Sequence, residues 1–174
     1  MQLLSLANFR AKSDRLDVIE SLREFGVKID VYGKCQPTKI WPEDNPSKID
    51  LISRYKFTLA FENVVSQDYV SEKFADPLSA GSVPVYLGSG SAILFAPTNA
   101  SFISLSSFEN LRALSRHLLW LASHNDEYEK LLEWKKQLPS KGFMRFLNAM
   151  HEMHPMCQLC HTVRHVLQNR ANEQ

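Results

Sequence analysis

The sequence predicts an α/β protein: a mostly parallel sheet with helices on both faces, followed by a helical tail. Two observations carry that expectation. Short apolar runs alternate with stretches of helical period along the first two thirds of the 174 residues. Such alternation yields a parallel sheet, because each return to a neighbouring parallel strand needs a crossover, usually a helix. The apolar runs also end in polar residues just where helices begin, which is where open α/β sheets bind ligands.

The elements follow in order. Residues 3–7 (LLSLA) read as a buried first strand. Ser13 offers an N-cap to a helix in which Leu16, Ile19, Leu22 and Phe25 recur at helical spacing, and Gly26 stands where a C′ glycine closes it. Val27, Ile29 and Val31 alternate with Lys28, Asp30 and Tyr32, the two-residue period of a strand. Pro37, Pro42 and Pro46 make residues 35–46 a loop. A short helix over 47–54, a strand over 56–62 and a helix over 71–80 come next. Pro77 lacks an amide donor and crowds the preceding turn, so a kink or break near Asp76 is expected. Residues 83–87 form a strand with Pro84 among its first residues. Gly81 and Gly88 serve the backbone, one ending a helix and one permitting a tight turn. Residues 88–91 are expected to be a mobile turn, and 102–105 a further short strand.

The rest of the chain is helical. Ser107 can cap a helix with the stripe Leu111, Leu114, Leu118 and Leu121. Asp126 opens another, with Tyr128, Leu131, Leu132 and Trp134. The stretch 141–170 is predicted helical with a break at His154 and Pro155. The chain thus divides into an α/β domain over 1–140 and a helical extension over 141–174.

Composition excludes several function classes. A hydrophobic content of 44%, a charged content of 22% and a formal net charge of +1 describe an ordinary globular domain with no nucleic-acid surface. No apolar run approaches the ~20 residues of a membrane span. Residues 1–9 are apolar but short and lack a basic leader, so they read as a strand rather than a signal peptide. Neither GxGxxG nor GxxxxGK[ST] occurs. The three cysteines are Cys35, Cys157 and Cys160. The CxxC at 157–160 leaves open a disulfide, unpaired thiols or, with nearby histidines, a metal site. Asn99-Ala100-Ser101 is an N-glycosylation sequon that has meaning only in a luminal chain.

The polar strand ends carry the candidate chemistry. Glu72 and Lys73 open a helix after a strand and turn. A helix N-terminus offers partial positive charge and amide donors to a diphosphate, and a lysine there adds a full charge. Arg15 sits in the first turn of the first helix, where a guanidinium can grip phosphate oxygens in two-pronged fashion, with Arg10 and Lys12 as competitors. Glu62 and Asn63 end an apolar strand, where they can face a crevice or start a turn.

Three segments in this order, YKFTLAFEN at 55–63, DYVSEK at 68–73 and AGSVPVYLG at 80–88, resemble the donor-binding core of the α1,3/α1,4-fucosyltransferases. The resemblance spans roughly residues 3–164. It implies an inverting glycosyltransferase of two Rossmann-like domains, the GT-B arrangement, of which this chain is similar to the second, GDP-fucose-binding domain. By that resemblance Arg15 contacts the diphosphate, Asn63 and Tyr69 contact the donor, Glu72 bonds the ribose or the sugar, and Lys73 meets the charge of departing GDP. The family pattern has Ser-Asn-Cys where this chain has Ala7-Asn8-Phe9. The family's first domain binds the acceptor, a glycan or glycoprotein, and carries the carboxylate base. Its members are anchored in the Golgi membrane by an N-terminal segment and need no metal or other cofactor. A truncated, non-catalytic fragment that binds nucleotide or a partner is the alternative expectation.

Overall fold

The alternating elements fold as a single parallel sheet. The computed structural model describes residues 3–7, 13–34, 36–136 and 140–151. Its strands are β1 (Leu3–Ala7), β2 (Ile29–Gly33), β3 (Phe57–Phe61), β4 (Val83–Leu87) and β5 (Ile103–Ser104). All pair in parallel, in the spatial order β2-β1-β3-β4-β5. The helices are α1 (Ser13–Glu24), α2 (Lys48–Ser53), α3 (Glu72–Ala80), α4 (Leu111–Ser123), α5 (Asn125–Lys130) and α6 (Lys141–His151).

Strand alternation sends side chains to two cores. On one face Leu3, Phe57, Leu59 and Val85 pack with Ile19 and Leu22 of α1 and with Leu114, Leu118 and Leu121 of α4. On the other, Leu4 and Tyr32 meet Leu51 and Ile52 of α2. Beside them Ala60 and Tyr86 meet Phe74 and Leu78 of α3 and Phe143 and Phe146 of α6. Each fully buried side chain of this kind is worth about 1.5–3 kcal/mol relative to exposure. The α/β class is therefore as the sequence implies.

Several local features differ from expectation. Asp30 and Tyr32 of β2 are both buried. The Tyr55 hydroxyl donates to Asp30 Oδ2 at 3.0 Å and pairs with the Tyr32 hydroxyl at 2.9 Å, so the strand's period is kept but its polar side is internal. Helix α3 runs unbroken through Pro77. It forgoes one bond, that to the Lys73 carbonyl, and the proline ring forms part of a cleft wall. Residues 88–91 are not a loose turn: the Ser89 side chain caps a 3-10 helix over Gly90–Phe95. Asn110, not Ser107, caps α4, accepting from the Ala113 amide at 2.9 Å. Helix α5 begins at Asn125, one residue before Asp126.

Pro84 is tolerated in an internal strand for a readable reason. The Val83 amide donates to the Lys56 carbonyl, so the backbone of Pro84 faces the β5 side. Pairing with β5 begins only at Val85, so no ladder bond is lost. The edge strand β2 is closed by the loop that follows it. Val31 donates to Thr38 Oγ1 at 2.9 Å, and its carbonyl accepts from the Thr38 and Lys39 amides.

Candidate functional site

The site begins where two strands part. β1 pairs with β3 only at Leu3–Phe57, Leu4–Thr58 and Ser5–Leu59, although both strands continue to pair with their other neighbours. Beyond Ser5 a crevice opens at the carboxyl ends. The strand order reverses direction here, from β1 outward to β2 on one side and from β3 onward to β4 on the other. A topological switch point of this kind is where doubly wound sheets hold ligands.

Two side chains bridge the crevice. Arg15, in the first turn of α1, is only 7% exposed, and its Nη1 donates to Asn63 Oδ1 at 3.1 Å. Asn63 stands just past the end of β3. The bond joins residues 48 positions apart, so the guanidinium is held over the switch point rather than waving in solvent.

The first turn of α3 is fixed by a buried carboxylate. Glu62 is 2% exposed. Its Oε1 accepts from the Ser71 amide at 2.7 Å and its Oε2 from the Ser71 hydroxyl at 2.6 Å. Ser71 is the N-cap of α3, and its Oγ accepts in turn from the Lys73 amide at 3.3 Å. Glu62 therefore does not face the ligand crevice; it ties the helix to the strand. Gly88 serves this packing and not a left-handed turn, since a Cβ there would lie 2.7 Å from Glu62 Cγ and still closer to the Tyr86 hydroxyl. Burial, with the nearby Glu62 charge adding to it, pushes the Tyr86 hydroxyl up to about 12. Gly81 does adopt the expected left-handed conformation, φ 86°, and ends α3.

Lys73 projects beside this anchor. Its Nζ lies 3.4 Å from Glu72 Oε1, 3.5 Å from Ser71 Oγ and 4.0 Å from Glu62 Oε2. These long contacts leave the ammonium's donors open to a stronger acceptor. Partial burial would raise the Glu72 carboxyl. The Lys73 charge, the residue's own amide, the Lys48 charge and a Lys73 hydrogen bond outweigh it and hold Glu72 below its ordinary value.

Asn63, Glu72 and Lys73 line a cleft of about 240 Å³ between α2 and α3. Lys48 and Ile52 of α2, Thr58 of β3, and Asp76 and Pro77 of α3 line it as well. Lys48 Nζ bonds Asp76 Oδ2 at 2.6 Å across the cleft. The sequence reading passed over Lys48 and Asp76. The available signal for Asp76 was its spacing, four residues after Glu72 and so on the same helix face.

The remaining candidates fall elsewhere. Tyr69 is 40% exposed in the loop before α3 and does not line the cleft; its carbonyl accepts from the Tyr86 hydroxyl at 3.5 Å. Asn99 is exposed in a turn, while Ser101 of the same sequon is fully buried and donates to the Thr98 carbonyl at 2.7 Å. Arg10, Lys12, Cys35, Cys157, Cys160, and the break expected at His154 and Pro155 lie outside the described residues.

Comparison with known proteins agrees with this geometry. The model of glycosyltransferase family 10 (fucosyltransferase), C-terminal part, matches residues 1–173. GDP-fucose protein O-fucosyltransferase 3 of Gallus gallus is 41% identical over 153 residues, covering 82% of this chain and 31% of that protein. A crystal structure of an alpha1,3-fucosyltransferase superposes with a TM-score of 0.66 at 25% identity, covering 82% of this chain and 39% of the other. One of an alpha1,3-fucosyltransferase with GDP gives 0.65 at 26% identity, covering 76% and 37%. The chain spans about 30% of the length of the curated relatives it matches. With the parallel sheet, the switch-point crevice and a family match along nearly its whole length, the chain belongs to glycosyltransferase family 10, the fucosyltransferases, and corresponds to the family's C-terminal domain.

Proposed function

We infer that the chain is the donor-binding domain of a fucosyltransferase and holds GDP-fucose in the crevice between β1 and β3. The observation that carries this is the Arg15–Asn63 bond across the switch point, with Lys73 on the adjoining first turn of α3. The two cations stand on the first turns of α1 and α3, a setting suited to a diphosphate. The solved relative described with GDP supports the same ligand class.

In the reaction, an acceptor hydroxyl loses its proton to a carboxylate base and attacks the anomeric carbon from the face opposite GDP. The bond from that carbon to the phosphate oxygen breaks with inversion, and Lys73 and Arg15 offset the charge gathering on GDP. No metal or other cofactor is needed for that role. Neither nearby carboxylate suits the base. Both oxygens of Glu62 are committed to Ser71, and Glu72 is paired with Lys73. The base and most acceptor contacts belong to the further length that the relatives possess. The name of the Gallus gallus relative supports a protein hydroxyl as acceptor, and family membership supports a place in the Golgi. Among the described residues no helix is long and apolar enough to cross a membrane.

Calorimetry with GDP and with guanosine tests the donor reading. Lys73→Ala should weaken GDP by about 1.5–3 kcal/mol, the range for a hydrogen bond to a charged group, and leave guanosine nearly unchanged. Equal losses for both ligands would refute a phosphate role for Lys73.

A further inference from the structure

The sequon Asn99-Ala100-Ser101 has no part in the donor site. It occupies the turn between the 3-10 helix over Gly90–Phe95 and β5, where Thr98, Asn99 and Ala100 are exposed. Asn99 also lines another cavity of about 240 Å³, together with Tyr86 near the end of β4 and Ser104 at the end of β5. The chemistry of this cavity differs from that of the donor cleft. None of its lining residues is charged, whereas Lys48, Glu72, Lys73 and Asp76 line the cleft. Ser89, Ser104, Ser106 and Ser107 bring hydroxyls, each able to donate and to accept. Phe102 and Ile93 bring apolar surface. A neutral ring with many hydroxyls matches such a lining. A phosphate or carboxylate does not, because no lining side chain offsets its charge. The volume falls below the ~300–1,000 Å³ of pockets that take drug-sized ligands, so it suits one sugar ring rather than a chain of them.

We propose that Asn99 carries an N-linked glycan whose first N-acetylglucosamine folds back into this cavity; this rests on the luminal placement proposed above. In the linkage, Asn99 Nδ2 attacks the anomeric carbon of a lipid-diphosphate-linked oligosaccharide. The bond from nitrogen to that carbon forms and the bond from the carbon to the diphosphate oxygen breaks. The lipid diphosphate leaves, and the amide gives one proton to a base of the oligosaccharide transferase. The sugar is then tethered at the cavity's own rim. Tethering makes its entry an intramolecular event at high effective concentration, so weak contacts suffice to seat it. Its hydroxyls meet the serines, and its acetyl methyl has Phe102 and Ile93 to cover it. Ser101 sets the order of events. The transferase reads the hydroxyl two residues after the asparagine. In the folded chain Ser101 is fully buried, and its hydroxyl donates to the Thr98 carbonyl at 2.7 Å. The Ser101 amide donates to the same carbonyl at 3.2 Å. The turn thus closes over the group that must be read, and the glycan is added before the turn forms.

The test expresses the full chain behind a cleavable secretory leader in eukaryotic cells, which supplies the luminal setting directly. Glycosidase treatment and peptide mapping should find Asn99 occupied in most molecules, and the mass shift should vanish in Asn99→Gln. A bare Asn99 overturns the proposal. Trimming the glycan to a single isotope-labelled N-acetylglucosamine then lets NMR read where that sugar lies. Contacts from its protons to the Phe102 ring and the Ile93 methyl groups are expected, and a sugar that shows neither refutes the seat. Chain folded in bacteria should resist the transferase and its lipid-linked oligosaccharide in vitro; ready modification overturns the stated order. GDP affinity should be equal for the glycosylated chain and for Asn99→Gln, since Asn99 does not line the donor cleft. An occupied Asn99 in a chain that binds no GDP leaves this proposal standing and removes the donor reading. If the protein in its own cells lies outside the secretory pathway, the placement and the glycan fail together. If it lies within that pathway and Asn99 is bare, the glycan alone fails.

Discussion

Helices α2 and α3 begin side by side at the carboxyl end of the sheet, and each begins at a serine, yet the two first turns are held differently. At α2 the reciprocal partner of Ser47 is Asp50. The Asp50 amide donates to Ser47 Oγ at 3.1 Å, and the Ser47 amide donates to Asp50 Oδ2 at 3.3 Å. At α3 the partner of Ser71 is Glu62, nine positions back at the end of β3. A local cap fixes where a helix starts. A cap borrowed from a strand also fixes where that start lies relative to the sheet, and a turn that must meet a phosphate needs the second kind of precision.

Substitution of the two acids should separate these roles most sharply. Glu62→Ala removes two hydrogen bonds to a charged acceptor and strands the Ser71 donors, at an expected cost on the order of 3–5 kcal/mol in denaturant unfolding. GDP affinity should fall with it. Asp50→Ala should cost about 1 kcal/mol or less, the scale of a helix cap, and leave GDP affinity unchanged. Similar effects from both variants would erase the distinction.

The serines sharpen the comparison at smaller scale. Ser47→Ala and Ser71→Ala should each lose about 1 kcal/mol of stability. Only Ser71→Ala should also weaken GDP, because only its turn carries Lys73. Nucleotide titrations of both proteins check this, and a matching loss in Ser47→Ala would count against it.

The smallest effect lies on the opposite face of the sheet. Burial holds the His117 imidazole of α4 below its ordinary 6.5. As pH falls below about 6.5 the unfolded chain takes up a proton before the folded one does, so stability should decline from there toward the lowered folded value. Urea midpoints at about pH 7.5 and about pH 5.5 should differ less in His117→Gln than in the wild type. GDP affinity should not follow that difference, since His117 does not line the cleft. A nucleotide response that tracks His117 would couple the ligand site to a residue outside its lining.

How much of this was legible follows the same division. Strand and helix order, the Gly26 and Gly81 helix ends, and the polar strand ends can be read from local pattern, because each depends on residues within one or two turns. Lys73, Glu72 and Asn63 could be singled out from their places at element ends and from resemblance. The role of Glu62 could not, because a polar residue ending a strand looks the same whether it faces a crevice or reaches back to a helix cap. Lys48 and Asp76 meet only after β3 has passed between their helices. Pro77 misled because the rule for proline counts the lost bond and not the short helix around it, which is pinned at both ends by Ser71 and Gly81.

The closed rim of the sheet bears on how the rest of a longer protein can attach. Val31 on β2 has spent its outward amide and carbonyl on residues 38 and 39, and β5 offers only two residues. Neither margin is an inviting template for a sixth strand. An additional domain therefore has little chance of fusing its own sheet to this one. A domain added to this one would instead pack on its loops and helices, leaving two separate sheets joined by side-chain contacts rather than one continuous ladder.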